Sequence, residues 1–372
     1  NPRTIFLDAG VYSSSTNDER FPIMIRDFVS IRGTSPDVTI IDAEKAKRVA
    51  ECINVQGVEL SNLRLRGGRS DNGGAIYVNN STLSLSHVIF QDDSAKYGAG
   101  IYAENYSFLD LNQVAFVENQ SKYGNAIYAD NSNVVLKNAT IANNTGSVSL
   151  YCNNYSPLKM INSIIWDEVS YEIVCRGATG EVLIAYSDLM NGESGVREND
   201  YILDYQESNI SEDPKFIGGS PFNYTLAAES PCIDAGTSLF EIGGDTLLYI
   251  PDDQYSGTAP DIGAYQIISY SGISEITKIP NNFRLYPNYP NPFNPSTTIA
   301  YDLPEASKVK ITIYNVLGRE VRTLFDGSQL AGHYSIRWNG RNEQDNPVAA
   351  GIYFIRCIAG DKIQDHKMLL LK

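Results

Sequence analysis

Apolar and small residues recur in one pattern through the first half of the chain. A segment rich in Gly and Ala, ending in Ile-Tyr, stands at residues 73–77, 98–102 and 124–128. Weaker copies of the segment precede and follow these three. Each copy contributes one apolar residue to a common position, and successive residues at this position are 23 to 26 residues apart. The predicted column of apolar residues is Ile53, Ile76, Ile101, Ile127, Leu150 and Ile173.

Two further apolar columns lie in the other half of each repeat. The first is Leu60, Leu85, Leu111, Leu136, Met160 and Ile184, and the second is Leu65, Phe90, Phe116, Ile141, Ile165 and Leu189. Locally the apolar residues alternate with a period of two, which is typical of strands. Because one repeat cannot bury its own apolar face, neighbouring repeats must stack. The fixed frame of a leucine-rich repeat is absent, so the pattern predicts an all-β solenoid, a parallel β-helix.

A polar column follows two residues after the second apolar column. Its members are Asn62, His87, Gln113, Asn138 and Asn162. We expect these side chains, stacked roughly 4.8 Å apart, to hydrogen-bond from coil to coil as a structural ladder. In that arrangement His87 is a stacked polar residue and not a catalytic base.

The five cysteines contain no CxxC pair, so neither a zinc ribbon nor a covalent haem is predicted. Cys152 and Cys175 lie one repeat apart, at an inward-facing position that Val78, Ala103 and Ala129 occupy in other repeats. A disulfide can bridge two such neighbours. Buried free thiols fit the same column of small residues, and the sequence leaves both alternatives open.

The repeat fades after residue 191, and the charge changes near residue 280. We predict a β-helix over residues 1–270, in which residues 192–270 form irregular last coils that cap the open end. Residues 271–282 are the predicted linker. Residues 283–372 carry 11 Lys/Arg and 8 Asp/Glu, against 18 and 36 in the rest of the chain. Their short alternating strands with Gly, Pro and Asn turns predict a small immunoglobulin-like β-sandwich.

Several motifs carry a resemblance to known families. The Gly-Gly-Ala-Ile-Tyr coils, with residues 213–216 (Asp-Pro-Lys-Phe), 230–236 and 260–265, resemble secreted bacterial right-handed parallel β-helix proteins of the pectate-lyase-like superfamily. Residues 285–299, 309–321, 351–354 and 367–372 resemble the type A sorting domain of the type IX (Por) secretion system of Bacteroidetes. The second resemblance implies the type IX machinery as a partner. It also implies a location outside a Gram-negative cell or on its outer-membrane surface.

Charge and hydropathy narrow the classes of partner. A net charge of -15 disfavours nucleic acid, and no apolar run approaches the 18 or so residues that span a bilayer. The sequence starts at Asn1 in a strand-like segment without a signal peptide, so we expect the native N-terminus to have been removed or to lie outside it. A first coil without an evident cap is expected to leave a sheet edge open for self-association.

The superfamily includes pectate lyases and polygalacturonases, which require clustered carboxylates. Asp92, Asp93, Glu104 and Glu118 fall on turns of neighbouring coils, without a His-Gly or Arg-x-Lys partner. Their interpretation as solvated turn acids predicts that the chain is not an enzyme.

Four further carboxylates, Asp234, Asp252, Asp253 and Asp261, gather in the predicted cap. They are weak candidates for a calcium site. Carboxylates that serve only to form turns of the cap are the commoner explanation. No other cofactor is expected.

Tyrosines form one more column: Tyr77, Tyr102, Tyr128 and Tyr151. Such a stripe on an outer face can bind a sugar or another protein, or it can stabilise the sheet by stacking between coils. The second interpretation is favoured. We therefore predict a surface-associated β-helix protein with a structural or adhesive role, capable of self-assembly and exported by type IX secretion. The alternative is a polysaccharide-binding or polysaccharide-degrading β-helix, a lyase or a hydrolase.

Overall fold

The chain forms two compact units, residues 1–271 and 272–372. The computed structural model describes residues 3–177, 180–218, 224–265, 283–285, 288, 293, 297–304, 307–329, 332–344 and 346–370. The predicted linker, residues 271–282, lies outside the described residues. In the described part of the chain, no helix is both long enough and apolar enough to cross a membrane.

Short strands make up nearly all of the regular secondary structure in the described part of the first unit. In chain order they are β1 (Arg3–Phe6), β2 (Gly10–Ser13), β3 (Ile23–Met24), β4 (Val29–Arg32), β5 (Thr39–Asp42), β6 (Ala50–Ile53), β7 (Val58–Arg66), β8 (Ile76–Asn79), β9 (Thr82–Gln91), β10 (Ser94–Tyr97), β11 (Ile101–Glu104), β12 (Phe108–Val117), β13 (Gln120–Tyr123), β14 (Ile127–Asp130), β15 (Asn133–Lys137), β16 (Thr140–Ala142), β17 (Thr145–Gly146), β18 (Val148–Asn153), β19 (Leu158–Ile161), β20 (Ile164–Trp166), β21 (Tyr171–Arg176), β22 (Glu181–Ala185), β23 (Asp188–Leu189), β24 (Val196–Glu198), β25 (Ile202–Tyr205), β26 (Leu239–Ile242) and β27 (Asp245–Tyr249). The helical segments are α1 (Ser14–Asn17) and two 3-10 turns, Gly192–Gly195 and Asp252–Gln254.

Strands of successive coils pair in parallel and build three sheets. The first follows the order β1-β4-β7-β9-β12-β15-β19-β22-β25, the second β3-β6-β8-β11-β14-β18-β21-β24, and the third β10-β13-β17. Ile76, Ile101 and Ile127 lie in direct register, and each is at most 2% exposed. The other two predicted columns are also in register along the first sheet. The predicted fold class, a parallel β-helix, is therefore confirmed.

One member of the predicted column is wrong. On the coil before Ile76, the residue that pairs with Ile76 is Ala50 and not Ile53. Ile53 pairs with Asn79 and is 37% exposed. The reason is strand alternation, because Ala50 and Cys52 take the two inward positions of β6 and leave Ile53 on the outer face.

The predicted polar ladder has a backbone role. All five of its residues adopt left-handed backbone with φ between 49° and 55°, which Asn tolerates better than most residues. The bend re-aims each long strand, so that Leu60 and Leu63 are both buried although they are three residues apart. Asn162 Nδ2 does donate to Asn138 Oδ1 at 3.2 Å. Asn138 Nδ2, however, donates to Asn112 Oδ1 at 2.7 Å, and His87 Nδ1 contacts the neighbouring Ser86 hydroxyl at 3.0 Å.

The parallel sheets end with the last strands of the solenoid, whereas later residues such as Tyr224 pack on the outer face of the first sheet, against Ile89 and Ala115. β24 and β25 extend the second and first sheets, and the buried Tyr201 packs on the core between them. The Tyr201 hydroxyl donates to the carbonyl of Asn154 and accepts from the amide of Ser156. Further on, β26 and β27 form an antiparallel hairpin.

The second unit is a two-sheet antiparallel sandwich. Its strands are β28 (Arg284–Leu285), β29 (Thr297–Leu303), β30 (Ser307–Asn315), β31 (Glu320–Gln329), β32 (Gly332–Trp338), β33 (Gly351–Ala359) and β34 (Lys362–Leu370). The sheets have the orders β28-β29-β32 and β31-β30-β33-β34. Val309, Ile311 and Ile313 alternate into a core that also contains Trp338 and Tyr353. This architecture fits the predicted immunoglobulin-like sandwich.

Candidate functional site

An open polar cleft of about 840 Å³ runs along the third sheet, β10-β13-β17. Each coil enters this sheet through a residue with left-handed backbone, Asp92 at φ 57° and Glu118 at φ 59°. Because these two turns are equivalent on neighbouring coils, both carboxylates line the cleft. Gln91 Nε2 donates to Glu118 Oε2 at 2.8 Å and so holds that carboxylate in place.

Four cationic side chains, Lys45, Arg69, Lys96 and Lys122, line the same cleft. Lys96 and Lys122 occupy equivalent positions on consecutive coils, because the residues on either side of them pair in register. Their Nζ atoms lie 4.9 and 5.2 Å from the ring centroids of Tyr97 and Tyr123, within the range of a cation–π contact. The two lysines therefore form a row with one positive charge per coil.

The charge of the cleft differs from that of the surrounding unit. Lys45 Nζ lies 2.8 Å from Asp92 Oδ1, which neutralises one of the accessible acids. Asp71 and Glu118 are the other two accessible acids among the lining residues, against four cations. Because residues 1–282 carry 36 acidic and 18 basic groups, the cleft is richer in cations than the unit as a whole, and this charge favours an anionic ligand there.

A buried hydrogen-bond ladder forms the floor behind the cleft. Asp93 Oδ1 accepts from the Gly68 amide at 2.6 Å, and the Asp93 amide donates to Asn119 Oδ1 at 3.0 Å. The series continues at 2.9 Å from the Asn119 amide to Asn144 Oδ1, and at 2.8 Å from the Asn144 amide to Asp167 Oδ1. Each side chain thus accepts a hydrogen bond from a backbone amide one coil away. These bonds replace the backbone-to-backbone hydrogen bonds that paired strands would form.

Asp93 is the one cleft carboxyl that is fully buried. Burial, with smaller contributions from Asp92 and Asp42, raises the pKa of Asp93 well above its ordinary value, although the Gly68 hydrogen bond acts in the opposite direction. Its Oδ2 atom has no hydrogen-bond partner. Asp93 therefore favours the protonated form and supports the floor of the cleft, whereas Asp92 and Glu118 are the carboxylates that a ligand can reach.

The predicted tyrosine column is a continuous stack. Ring centroids are 5.9 Å apart between Tyr77 and Tyr102, 5.2 Å between Tyr102 and Tyr128, and 4.9 Å between Tyr128 and Tyr151. Interplanar angles of 7° to 16° mean that the ring faces point at one another. The Arg48 guanidinium covers the Tyr77 ring at 4.9 Å. The stack therefore offers mainly ring edges and hydroxyl groups to a ligand, a geometry that favours cross-coil stabilisation.

A second tyrosine column, missed in the sequence, links the stack to the cleft. Tyr97 and Tyr123 stack at 5.6 Å, and their edges meet the rings of Tyr128 and Tyr151 at 5.2 and 5.7 Å. Their equivalent spacing, directly before the turns at Gly98 and Gly124, was the signal that could have found them. The two columns form one aromatic wall beside the lysine row.

The cysteines are all free thiols in the structure. Cys152 and Cys175 are buried and face each other in register on β18 and β21. A hydrogen bond with Cys152, together with burial, raises the pKa of the Cys175 thiol. Both therefore fill the predicted column of small inward residues.

Three of the four predicted calcium candidates, Asp234, Asp252 and Asp261, accept local hydrogen bonds. Asp234 Oδ1 accepts from the amides of Thr258 and Ala259 at 3.0 and 3.4 Å, and Asp261 Oδ1 accepts from the Asp234 amide at 3.1 Å. Asp252 Oδ1 accepts from the Tyr255 hydroxyl at 3.0 Å. The side chain of Asp253 lies outside the described part of the structure. Among the described residues, no group of three or more His, Cys, Asp or Glu side chains is arranged to hold a metal ion.

One comparison with known proteins bears on the fold of the second unit. A family model described as FlgD Ig-like domain matches residues 294–361. This match supports the immunoglobulin-like fold of the second unit and does not extend to a sorting function. No curated protein matches the sequence.

Three solved structures resemble parts of the chain. Dimeric latent PorU from Porphyromonas gingivalis is 20% identical over 23% of this chain, with a TM-score of 0.20, and this chain covers 9% of its length. A pectin methylesterase from Yersinia enterocolitica is 12% identical over 62% of this chain and 91% of its own, with a TM-score of 0.30. The tailspike gp49 of Acinetobacter baumannii bacteriophage Fri1, a capsular polysaccharide depolymerase, is 12% identical over 99% of this chain and 73% of its own, with a TM-score of 0.23.

The prediction that the chain is not an enzyme is wrong in its premise. It required Asp92 and Asp93 to be solvated turn acids without partners, whereas Asp93 is buried and Asp92 pairs with Lys45 in a cleft. Enzymatic activity is therefore among the functions that the cleft has to be tested for.

Proposed function

We propose that this chain is an exported, surface-associated β-helix protein that binds a polysaccharide in the cleft along β10-β13-β17. The observation that carries the proposal is the row of Lys96 and Lys122, which presents one cation per coil beside a wall of tyrosines. Coils repeat about every 4.8 Å along the solenoid. A ligand that itself repeats, such as a sugar chain, meets the same side chains again on each coil. An adhesive role on a cell surface follows from such binding.

A polysaccharide array tests this binding. We expect the chain to retain uronic-acid-containing or sulfated polysaccharides and to release them as the salt concentration rises, because exposed charges are screened. Neutral polysaccharides of the same length serve as the matched ligand control. Equal retention of neutral and acidic polysaccharides would remove the support that the lysine row lends to the proposal.

Cleavage of the bound polysaccharide is a second candidate function, favoured by one specific observation. Asp92 and Glu118 are accessible carboxylates on neighbouring coils of the same cleft, and Lys45 lies beside Asp92. Glycoside cleavage uses two carboxyl groups, one as general acid and the other as base or nucleophile. We expect any release of reducing or unsaturated ends to fall by at least 100-fold in Asp92→Asn and in Glu118→Gln. Turnover that survives both substitutions would place the chemistry elsewhere.

The second unit is proposed to direct export. Its sequence resemblance to type A sorting domains and its immunoglobulin-like sandwich support a role in type IX secretion. A reporter fused to residues 272–372 is expected to reach the cell surface of a type IX-competent bacterium. The same fusion should remain inside a strain without the secretion machinery. Surface delivery in both strains would contradict the proposed route.

A further inference from the structure

Two tyrosines are inserted at the same turn of the solenoid, two coils apart. This turn joins the second sheet to the first, and on one coil it holds a single residue between Asp130 and Ser132. The equivalent turns on the coils before and after hold two residues, of which the second is Tyr106 and Tyr155, respectively. Tyr106 is 80% exposed and Tyr155 54%. Because coils repeat about every 4.8 Å, the two tyrosines are about 9.6 Å apart along the solenoid axis.

Buried serines fix the backbone beside both insertions. The Ser107 amide donates to Ser132 Oγ at 3.2 Å, and the Ser132 amide donates to Ser156 Oγ at 3.0 Å. The Ser156 amide, directly after Tyr155, donates to the hydroxyl of the buried Tyr201 at 3.0 Å. The two exposed tyrosines therefore project from backbone that is already ordered, which lowers the entropic cost of binding a ligand.

The backbone of Tyr106 is strained. Its φ is 62°, directly after Asn105 at 58°. Asparagine tolerates left-handed backbone, whereas a bulky aromatic residue adopts it at a cost in stability. Within the described part of the chain, the Tyr106 side chain has neither a hydrogen-bond partner nor an aromatic partner. Because packing of the ring does not offset the strain, a role in binding is the better explanation for an aromatic residue at this position.

Amide side chains lie between the two tyrosines. Asn131 is the single residue of the short turn, and Asn133 pairs in register with Phe108 of the preceding coil. Among the described residues, the side chains of Asn131 and Asn133 have no hydrogen-bond partner, so both amides are available to a ligand. Phe108 is 40% exposed and adds apolar surface beside them. We call this surface, formed by Tyr106, Phe108, Asn131, Asn133 and Tyr155, the aromatic corner.

The chemistry of the aromatic corner matches that of a neutral sugar. A sugar ring combines apolar C–H faces with a rim of hydroxyl groups. Tyrosine rings offer apolar surface to such faces, and each amide offers both donors and an acceptor to hydroxyl groups. None of the five side chains is charged. The carboxylates directly before two of the turns, Glu104 and Asp130, disfavour an anionic ligand because like charges repel.

A protein partner fits the aromatic corner less well. A stable protein interface buries about 800 Å² on each partner, whereas one aromatic side chain buries at most about 250 Å². The three aromatic side chains of the corner are only partly exposed and are separated by amides. The apolar area that they offer is therefore too small for such an interface and is sufficient for a small ligand.

We propose that the aromatic corner binds a neutral oligosaccharide that runs along the solenoid axis from Tyr106, past Asn131, to Tyr155. The site is separate from the cleft, whose lining comes from the third sheet and the turns that lead into it. The inference therefore goes beyond the proposed function and does not depend on it.

Calorimetric titration of the 372-residue chain with cellohexaose, laminarihexaose, mannohexaose and xylohexaose tests this binding. We expect at least one of these neutral sugars to bind with an affinity that does not change as salt is added. Tyr106→Ala and Tyr155→Ala should each weaken that binding about tenfold or more. Asn131→Asp keeps a residue that tolerates left-handed backbone but removes the amide donor, so it should also weaken binding. Tyr249→Ala, at a tyrosine of β27 that is 68% exposed, is the matched control and should bind as wild type does.

Competition separates the aromatic corner from the cleft. An excess of polygalacturonate should leave the affinity for the neutral sugar unchanged. Displacement of the neutral sugar would place it in the cleft and overturn the proposal. Binding that survives both Tyr106→Ala and Tyr155→Ala would overturn it as well. A chain that binds none of the four sugars would also contradict the proposal and would favour a protein partner for this surface.

Discussion

The carboxyl group of Asp93 and the backbone amide of Gly68, one coil apart, are joined by a hydrogen bond of 2.6 Å. Asn119 and Asn144 repeat this bond on the next coils, and their Nδ2 atoms also donate to the carbonyls of Phe90 and Phe116 at 3.1 and 2.9 Å. Asp93 has an oxygen where the two asparagines have that donor. The floor of the cleft is therefore a ladder whose first member lacks one hydrogen-bond donor unless it holds a proton.

Replacing Asp93 by Asn should stabilise the solenoid at neutral pH. The amide keeps the acceptor for Gly68 and adds the donor that Asn119 and Asn144 already use. It also removes the cost of burying a group that is ionised in the unfolded chain at neutral pH. We expect the free energy of unfolding to rise by about 1 kcal/mol in urea titrations. Asn119→Asp, the reverse change one coil further on, should lower it. A destabilised Asp93→Asn variant would mean that the carboxyl has a role that the ladder does not include.

The stability of the solenoid should fall as the pH rises from about 4 to about 6. Burial raises the pKa of Asp167 from 3.8 to about 6, although hydrogen bonds from Ser149 and Asn144 oppose the shift. Between these two values the folded chain binds more protons than the unfolded chain, so deprotonation costs up to roughly 3 kcal/mol. Burial also raises the pKa of Asp188 to about 6, and this carboxyl group changes the stability in the same direction.

Thermal unfolding of Asp167→Asn against wild type checks this pH dependence. The unfolding temperature of the variant should increase relative to that of wild type as the pH rises through this range. Above the range, the difference between the two unfolding temperatures should level off. Asp204→Asn, at an exposed residue of β25, is the control and should leave the curve unchanged. Parallel curves for wild type and Asp167→Asn would contradict the assignment.

The tyrosine stack should contribute to stability more than to binding. Tyr128 stacks on Tyr102 and Tyr151 and meets the edge of Tyr97, so Tyr128→Ala should lower the free energy of unfolding by about 2 to 4 kcal/mol. Tyr128→Phe keeps the ring and should cost less than about 1 kcal/mol. Tyr249, which is 68% exposed, provides the control substitution to Ala. A Tyr128→Ala variant of unchanged stability and lost polysaccharide binding would assign the stack to ligand contact instead.

Sequence periodicity predicted the solenoid because stacking is a local rule repeated many times. Ile76, Ile101 and Ile127 are in register since each coil must bury the same positions. The rule failed at Ile53, where only the alternation of Ala50 and Cys52 decides which residue points inward. Periodicity also identified the column of Asn62 and Asn138, but not that its main effect is a bend of the backbone.

The cleft was harder to predict because its residues come from different columns. Lys45 and Asp92 meet across two coils, and no spacing in the sequence pairs them. The ladder from Asp93 to Asn144 carries a weak signal, an Asp or Asn directly after each turn residue, which resembles ordinary turn composition. Asp93 is buried whereas the side chain of Asp92 is partly exposed. The sequence does not distinguish two adjacent aspartates, because their burial depends on the path of the backbone.

Calorimetric titration of an acidic polysaccharide, polygalacturonate, into wild type and into the double variant Lys96→Ala/Lys122→Ala tests the cleft most directly. Wild type should bind with an affinity that falls as salt is added, and the double variant should bind at least tenfold more weakly. Lys159→Ala, on β19 of the first sheet and outside the cleft lining, should bind as wild type does. Equal affinity of wild type and the double variant for every acidic polysaccharide that binds would contradict the assignment of the cleft.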